Sequence, residues 1–248
     1  MAIISLNTSS NCLKKTTTLE IIVPDIVRMD KPMSRRKTLY LLHGLSDDGS
    51  MWLRRTMIEN YAEKYGIVVV MPSADRSFYL DDSDGQNYYS YVSTELPQYL
   101  NKLFNLSLKK EDNFIAGLSM GGYGAMRIAL LNSDKYFAVG SFSAPFDLSA
   151  FLNDSEMKAF GNLPTLQAKI NNNQGDLLPI ELVKKAKNND LAIYVSCGLQ
   201  DGLLKASKAF EKSATENGVK AKFDYSDGAH EWLFWDKEIK KFLAFALE

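Results

Sequence analysis

Cysteine and histidine are the scarcest chemically reactive residues of this 248-residue chain, with two of each. The cysteines, Cys12 and Cys197, form no disulfide framework and have no zinc-ligand spacing, which fits a reducing compartment. Cys197 ends an apolar run and reads as a buried structural thiol. Charge of one sign is missing too: 29 basic and 30 acidic residues leave a formal net charge of −1. No broad field is left to attract nucleic acid or an anionic membrane, and the short basic pairs read as solvated faces. No stretch approaches the roughly 18 apolar residues of a membrane span. The opening "MAIISLNTSSNCLKK" lacks the basic n-region and apolar h-region of a secretion signal, so a cytoplasmic location is expected. With no repeat, low-complexity tract or Pro/Ser-rich linker, one domain is expected. The sequence leaves a homo-oligomer open.

What is present alternates. Short β-rich runs occur at 19–23, 38–43, 67–72, 113–117, 137–142, 191–197 and 221–226, several apolar throughout. Strands covered on both faces read this way. Amphipathic stretches at 50–65, 88–104, 120–132, 203–217 and 232–246 lie between them. The alternation predicts an α/β fold with a mostly parallel sheet, whose ligands sit beyond the carboxyl ends of the strands. One interval, 146–176, is polar and Asn-rich without a clear strand, and reads as a cap-like insertion over the strand ends, with a long surface excursion as the alternative.

In "FIAGLSMGGYGAM" (114–126), four glycines and a serine follow a buried strand and open a helix. Gly117-Leu118-Ser119-Met120-Gly121 fits G-x-S-x-G, and the strand–turn–helix context is the one a nucleophile elbow requires. Gly117 and Gly121 are small because strand and helix almost touch there. The lysine and spacing of a phosphate loop are absent.

A serine nucleophile needs a base, usually histidine. In the elbow fold the order along the chain is Ser, acid, His, and only His230 follows Ser119. Asp201, in the glycine-bracketed "CGLQDGL" after the strand at 191–197, is the favoured acid. Its rivals are Asp190, Asp224, Asp227 and Asp236. His43 ends a strand and starts "HGLSDDG", which resembles the oxyanion loop of α/β hydrolases. The amides of Leu45 and Met120 are then the expected oxyanion donors, with the His43 ring shaping the loop.

Together "HGLSDDGSMW", "GLSMGGYGAM", "SFSAP", "GLQDGLL" and "GAHEWLFWD" resemble the tributyrin-esterase branch of the esterase D group, relatives of the S-formylglutathione hydrolases. The resemblance implies an α/β-hydrolase fold and a serine carboxylesterase with Ser119, Asp201 and His230 as triad. It also implies Leu45 and Met120 as the oxyanion hole. "HGLSD" carries no cysteine where the formylglutathione enzymes usually have S-G-L-T-C, which speaks against glutathione thioesters as the main substrate. The resemblance, together with the short polar interval at 146–176, implies a preference for short acyl chains. A thioesterase and a non-catalytic binding protein are the alternatives.

No cofactor is expected. The acidic "LDDSDGQNYYSYV" (80–92) fails the calcium-loop spacing, placing Tyr91 where a glutamate belongs. Tyr88, Tyr89 and Tyr91 read as the packed start of a helix, with the lining of an acyl or alcohol pocket as the alternative. Trp52 and Trp232 read as packing residues near the site.

Overall fold

The computed structural model describes residues 1–24, 32–148, 166–167, 172, 176–186 and 190–248. Most of the interval expected to form a cap (146–176) lies outside these residues.

Eight strands form one sheet in the order β1-β2-β4-β3-β5-β6-β7-β8. They are β1 (Ala2–Ser10), β2 (Lys15–Val23), β3 (Thr38–Leu42), β4 (Val68–Pro72), β5 (Asn113–Leu118), β6 (Ala138–Phe142), β7 (Ala192–Gly198) and β8 (Ala221–Ser226). β1 runs antiparallel to β2, and β2 antiparallel to β4. The six strands from β4 to β8 are parallel. This is the expected α/β architecture, and all the parallel strands end on the same side.

The strands that read as continuously apolar are covered on both faces. Leu39 and Leu41, Val69 and Met71, and Phe114 and Ala116 face one cluster, built with α1 (Met51–Arg55), α2 (Ile58–Tyr65) and α6 (Trp232–Leu247). Tyr40 and Leu42, Val68 and Val70, and Ile115 face the other, built with α3 (Leu96–Phe104), α4 (Met120–Leu131) and α5 (Leu204–Glu216). Burying a large apolar side chain contributes about 1.5–3 kcal/mol, so this two-sided core dominates the stability.

The structure departs from the sequence reading in three places. β1 is an edge strand whose side chains alternate between exposed and half-buried up to Ser10, with only Ile4 and Leu6 packed against the core, so it carries no continuous apolar run and is hidden from a search for buried runs. The stretch 50–65 is two helices, not one. The chain is extended at Thr56, whose hydroxyl bonds the Trp52 carbonyl at 2.6 Å, and the Met57 amide is taken by Asp236 at 2.9 Å. Within 88–104 a π-turn, Tyr91–Glu95, precedes α3. Pro97 has no amide to give the Ser93 carbonyl, and Lys135 Nζ bonds that carbonyl instead at 3.3 Å.

Candidate active site

Ser119 stands between β5 and α4 with φ 51° and ψ −119°, outside the regions a side-chain-bearing residue favours. Such torsions cost about 1–3 kcal/mol and persist only where the surroundings enforce them. Here the Ser119 amide bonds the Phe142 carbonyl of β6 at 2.8 Å, and the Ser119 carbonyl receives the Tyr123 amide at 2.9 Å. The two flanking glycines are required by contact. A methyl group at Gly117 would run into the Gly121 backbone, and one at Gly121 into the Leu42 and His43 carbonyls.

The structure brings Ser119, His230 and Asp201 together. Ser119 Oγ lies 3.1 Å from His230 Nε2. His230 Nδ1 lies 3.0 and 3.2 Å from the two carboxylate oxygens of Asp201. The Asp201 side chain is 1% exposed and the imidazole 39% exposed, so the imidazole faces solvent while the carboxylate is shielded. Burial alone would raise the Asp201 carboxyl. The His230 hydrogen bond and charge, the Leu203 amide at 2.9 Å and the Ser143 hydroxyl outweigh it, and hold the carboxyl below its ordinary value. An ionised acid on Nδ1 leaves Nε2 free to accept a proton from the serine.

The loops carrying Asp201 and His230 are clasped together. The Leu199 amide bonds the Ser226 carbonyl at 3.0 Å, the Gln200 amide the Gly228 carbonyl at 3.1 Å, and the Gly228 amide the Gln200 side-chain oxygen at 2.9 Å. None of the rival aspartates takes the position beside His230. Asp224 is engaged by Tyr194 and Lys241, Asp236 caps the Met57 amide, and Asp227 meets the Gln200 side-chain amide. Asp190 precedes β7 at the opposite end of the sheet.

Gly44 lies against Leu118 and Ser119, which brings the loop after β3 beside the elbow. Met120 is the first residue of α4, where amides lack intrahelical acceptors and the helix dipole is positive. Among the described residues, neither the Leu45 nor the Met120 amide is engaged by an acceptor. His43 shapes this loop as expected. Its buried ring accepts the Ala74 amide on Nε2 at 2.8 Å, which places the proton on Nδ1 for the Gly44 carbonyl at 2.7 Å. Burial pushes the His43 pKa down.

Three contributors escaped the sequence reading. Tyr79 (φ 53°) donates its hydroxyl to the His43 carbonyl at 3.0 Å. Trp235 packs perpendicular to the His230 ring, centroids 4.9 Å apart. Ser143 receives the Trp235 indole N–H at 3.1 Å. Ser143 and Trp235 belong to the quoted motifs "SFSAP" and "GAHEWLFWD", the only signal that marked them. Trp52 is buried as expected, bonded to the Leu42 carbonyl at 3.0 Å and edge-on to Trp232.

No group of three or more His, Cys, Asp or Glu among the described residues is arranged to hold a metal. In the acidic loop, Asp81 accepts the Ser90 amide and hydroxyl, and Asp82 the Asp84 and Gln86 amides. No helix among the described residues is long and apolar enough to cross a membrane.

The family model for putative esterases matches residues 10–246. The chain belongs to the putative esterase family. It is 30% identical to an acetyl esterase of Caldicellulosiruptor saccharolyticus, with 96% of each chain covered. Among solved structures it resembles FphF, a fluorophosphonate-binding serine hydrolase of Staphylococcus aureus, at TM-score 0.86 and 32% identity, covering 100% of this chain and 98% of that one. It also resembles the S-formylglutathione hydrolase FrmB of Staphylococcus aureus, at TM-score 0.85 and 32% identity, covering 100% and 99%. This esterase-family chain is a carboxylic ester hydrolase with the α/β fold of the serine hydrolases.

Proposed function

We propose that one domain of this chain hydrolyses short-chain acyl esters, acetyl to butyryl, through Ser119, His230 and Asp201 and an acyl-enzyme intermediate, without a cofactor. The observation that carries this reading is the continuous line from Ser119 Oγ to His230 Nε2 and from His230 Nδ1 to Asp201. As Ser119 Oγ attacks the ester carbonyl, His230 takes its proton, and Asp201 keeps Nδ1–H in place and balances the imidazolium. The tetrahedral oxyanion rests on the amides of Leu45 and Met120, the latter backed by the α4 dipole. His230 then protonates the departing alcohol, and the same imidazole activates the water that releases the acid. The decisive test is Ser119→Ala. It should fold, fail to react with a fluorophosphonate, and lose roughly a thousandfold or more in esterase rate. Labelling at the wild-type rate would refute the assignment.

The acyl class draws support from the acetyl esterase relative. In a closed pocket each methylene that fits contributes about 0.8 kcal/mol, so kcat/KM for nitrophenyl esters should climb from acetate and fall after butyrate. A steady rise through palmitate would overturn the short-chain reading. The likeness to an S-formylglutathione hydrolase favours a second reading, a thioesterase. The cysteine-free "HGLSD" loop argues for oxygen esters, and matched oxygen and thiol esters of one acyl group distinguish the two.

A further inference from the structure

Ser143 is fully buried at the carboxyl end of β6, with its amide bonded to the Ser196 carbonyl at 2.8 Å. Its φ is 51°, a conformation that glycine adopts freely and other residues adopt at a cost. A glycine would relieve that cost, yet a side chain is kept. Its oxygen accepts the Trp235 indole N–H at 3.1 Å. Indole only donates, so the Ser143 proton is left for another acceptor. Among the described residues, the other side chains that face it are the Asp201 carboxylate and the Cys197 thiol, and the carboxylate is much the stronger acceptor. Asp201 is itself faced by His230, the Leu203 amide and Cys197.

We propose that Ser143 is a positioning residue for the reaction, its hydroxyl bridging the Trp235 indole and the Asp201 carboxylate so that Asp201 stays aimed at His230 Nδ1. Each donor in the chain polarises the next, from indole to hydroxyl to carboxylate. Trp235 also packs perpendicular to the His230 ring, so one side chain of α6 steadies both members of the acid–base pair. The Leu203 amide holds one carboxylate oxygen, and the Ser143 hydroxyl adds the second restraint that stops the carboxylate rotating about that bond. This inference rests on the triad reading above.

The test compares Ser143→Gly, Ser143→Ala and Trp235→Phe with the wild type. Ser143→Gly removes the hydroxyl while relaxing the backbone, so its melting temperature should not fall. Its kcat on nitrophenyl acetate should drop by roughly 10- to 100-fold, with KM within about twofold of the wild type. The low-field proton NMR signal of His230 Nδ1–H, identified by its loss in Asp201→Ala, should shift or broaden. Ser143→Ala should follow in kcat but melt lower, because its methyl keeps the strained φ. Trp235→Phe should show a smaller loss in the same direction. A Ser143→Gly protein with unchanged kcat and an unchanged signal overturns the proposal. Should that variant not fold, an unchanged kcat and signal in Trp235→Phe overturn it equally. If the wild type were not labelled by a fluorophosphonate at Ser119, the triad reading itself would fail. Labelling at Ser119 with Ser143→Gly unaffected would sink this inference alone.

Discussion

Replacing Asp201 by asparagine changes one atom's chemistry and little else, and the local geometry dictates which way the new amide turns. Asp201 Oδ1 accepts the Leu203 amide at 2.9 Å, while Oδ2 is the nearer oxygen to His230 Nδ1, at 3.0 Å. An asparagine that put its NH2 at the Oδ1 position would set two donors against each other. It will therefore keep its carbonyl oxygen there and turn its NH2 toward His230. Nδ1 must then accept, the ring proton moves to Nε2, and Nε2 can no longer take the proton of Ser119. The charge that would stabilise the imidazolium is lost in the same step. A comparable tautomer reversal in another Ser-His-Asp hydrolase costs about 10⁴-fold in kcat, or about 5 kcal/mol of transition-state stabilisation. The side chain keeps its volume and its Leu203 bond, so the protein should fold. The assay is kcat/KM on nitrophenyl acetate alongside fluorophosphonate labelling, with Asp227→Asn and Asp236→Asn as controls. Asp236→Asn should leave activity alone, since Asp236 serves the Met57 amide and Tyr61 hydroxyl. An Asp201→Asn enzyme within tenfold of the wild type would refute the reasoning, and so would an equal loss in Asp227→Asn.

His43 should make stability depend on pH. Its pKa is lowered in the fold, where Nε2 already accepts the Ala74 amide, so between the native value and the unfolded value of about 6.5 the unfolded chain binds more protons. Thermal stability should accordingly decline as pH falls from about 7 to about 5. His43→Asn should be less stable at neutral pH but show a shallower decline, and equal slopes in the two proteins would contradict this. Gly121→Ala drives a methyl group into the Leu42 and His43 carbonyls, rigid backbone at the root of the oxyanion loop. It should cost about 1–3 kcal/mol of stability and most of the activity. Unfolding in urea and a labelling assay check it, and a wild-type midpoint with wild-type labelling would rule out the tight contact.

The sheet was legible wherever two-sided burial had written itself into composition. Val68, Val69 and Val70, or Phe114, Ile115 and Ala116, must satisfy a helix layer on each face, so no polar residue interrupts them. β1 follows the opposite rule. It is held mainly by backbone pairing along nine residues of β2, from Ala2 against Val23 to Ser10 against Lys15, and only Ile4 and Leu6 lean on the core, too few to write a continuous apolar run. Helix breaks were hidden for a related reason. The Thr56–Met57 interruption depends on Asp236, 179 residues further along, and no local propensity reports a partner that distant.

The candidate site divides along the same line. Ser119, Asp201 and His230 stand out in the sequence because the proposed chemistry restricts residue type, and because two histidines leave little choice for a base. Tyr79, Ser143 and Trp235 act by what they restrain, and many residue types can restrain. What marks two of them is backbone geometry: φ is 53° at Tyr79 and 51° at Ser143, as it is 51° at Ser119 itself. Each lies in a loop that follows a parallel strand, β4, β6 and β5 in turn. Each pays about 1–3 kcal/mol for a torsion glycine would hold more easily, and each uses its hydroxyl there: Ser119 toward His230, Tyr79 on the His43 carbonyl, Ser143 on the Trp235 indole. Strain kept together with a hydroxyl links the three, because a relaxed backbone at any of them would aim that hydroxyl elsewhere.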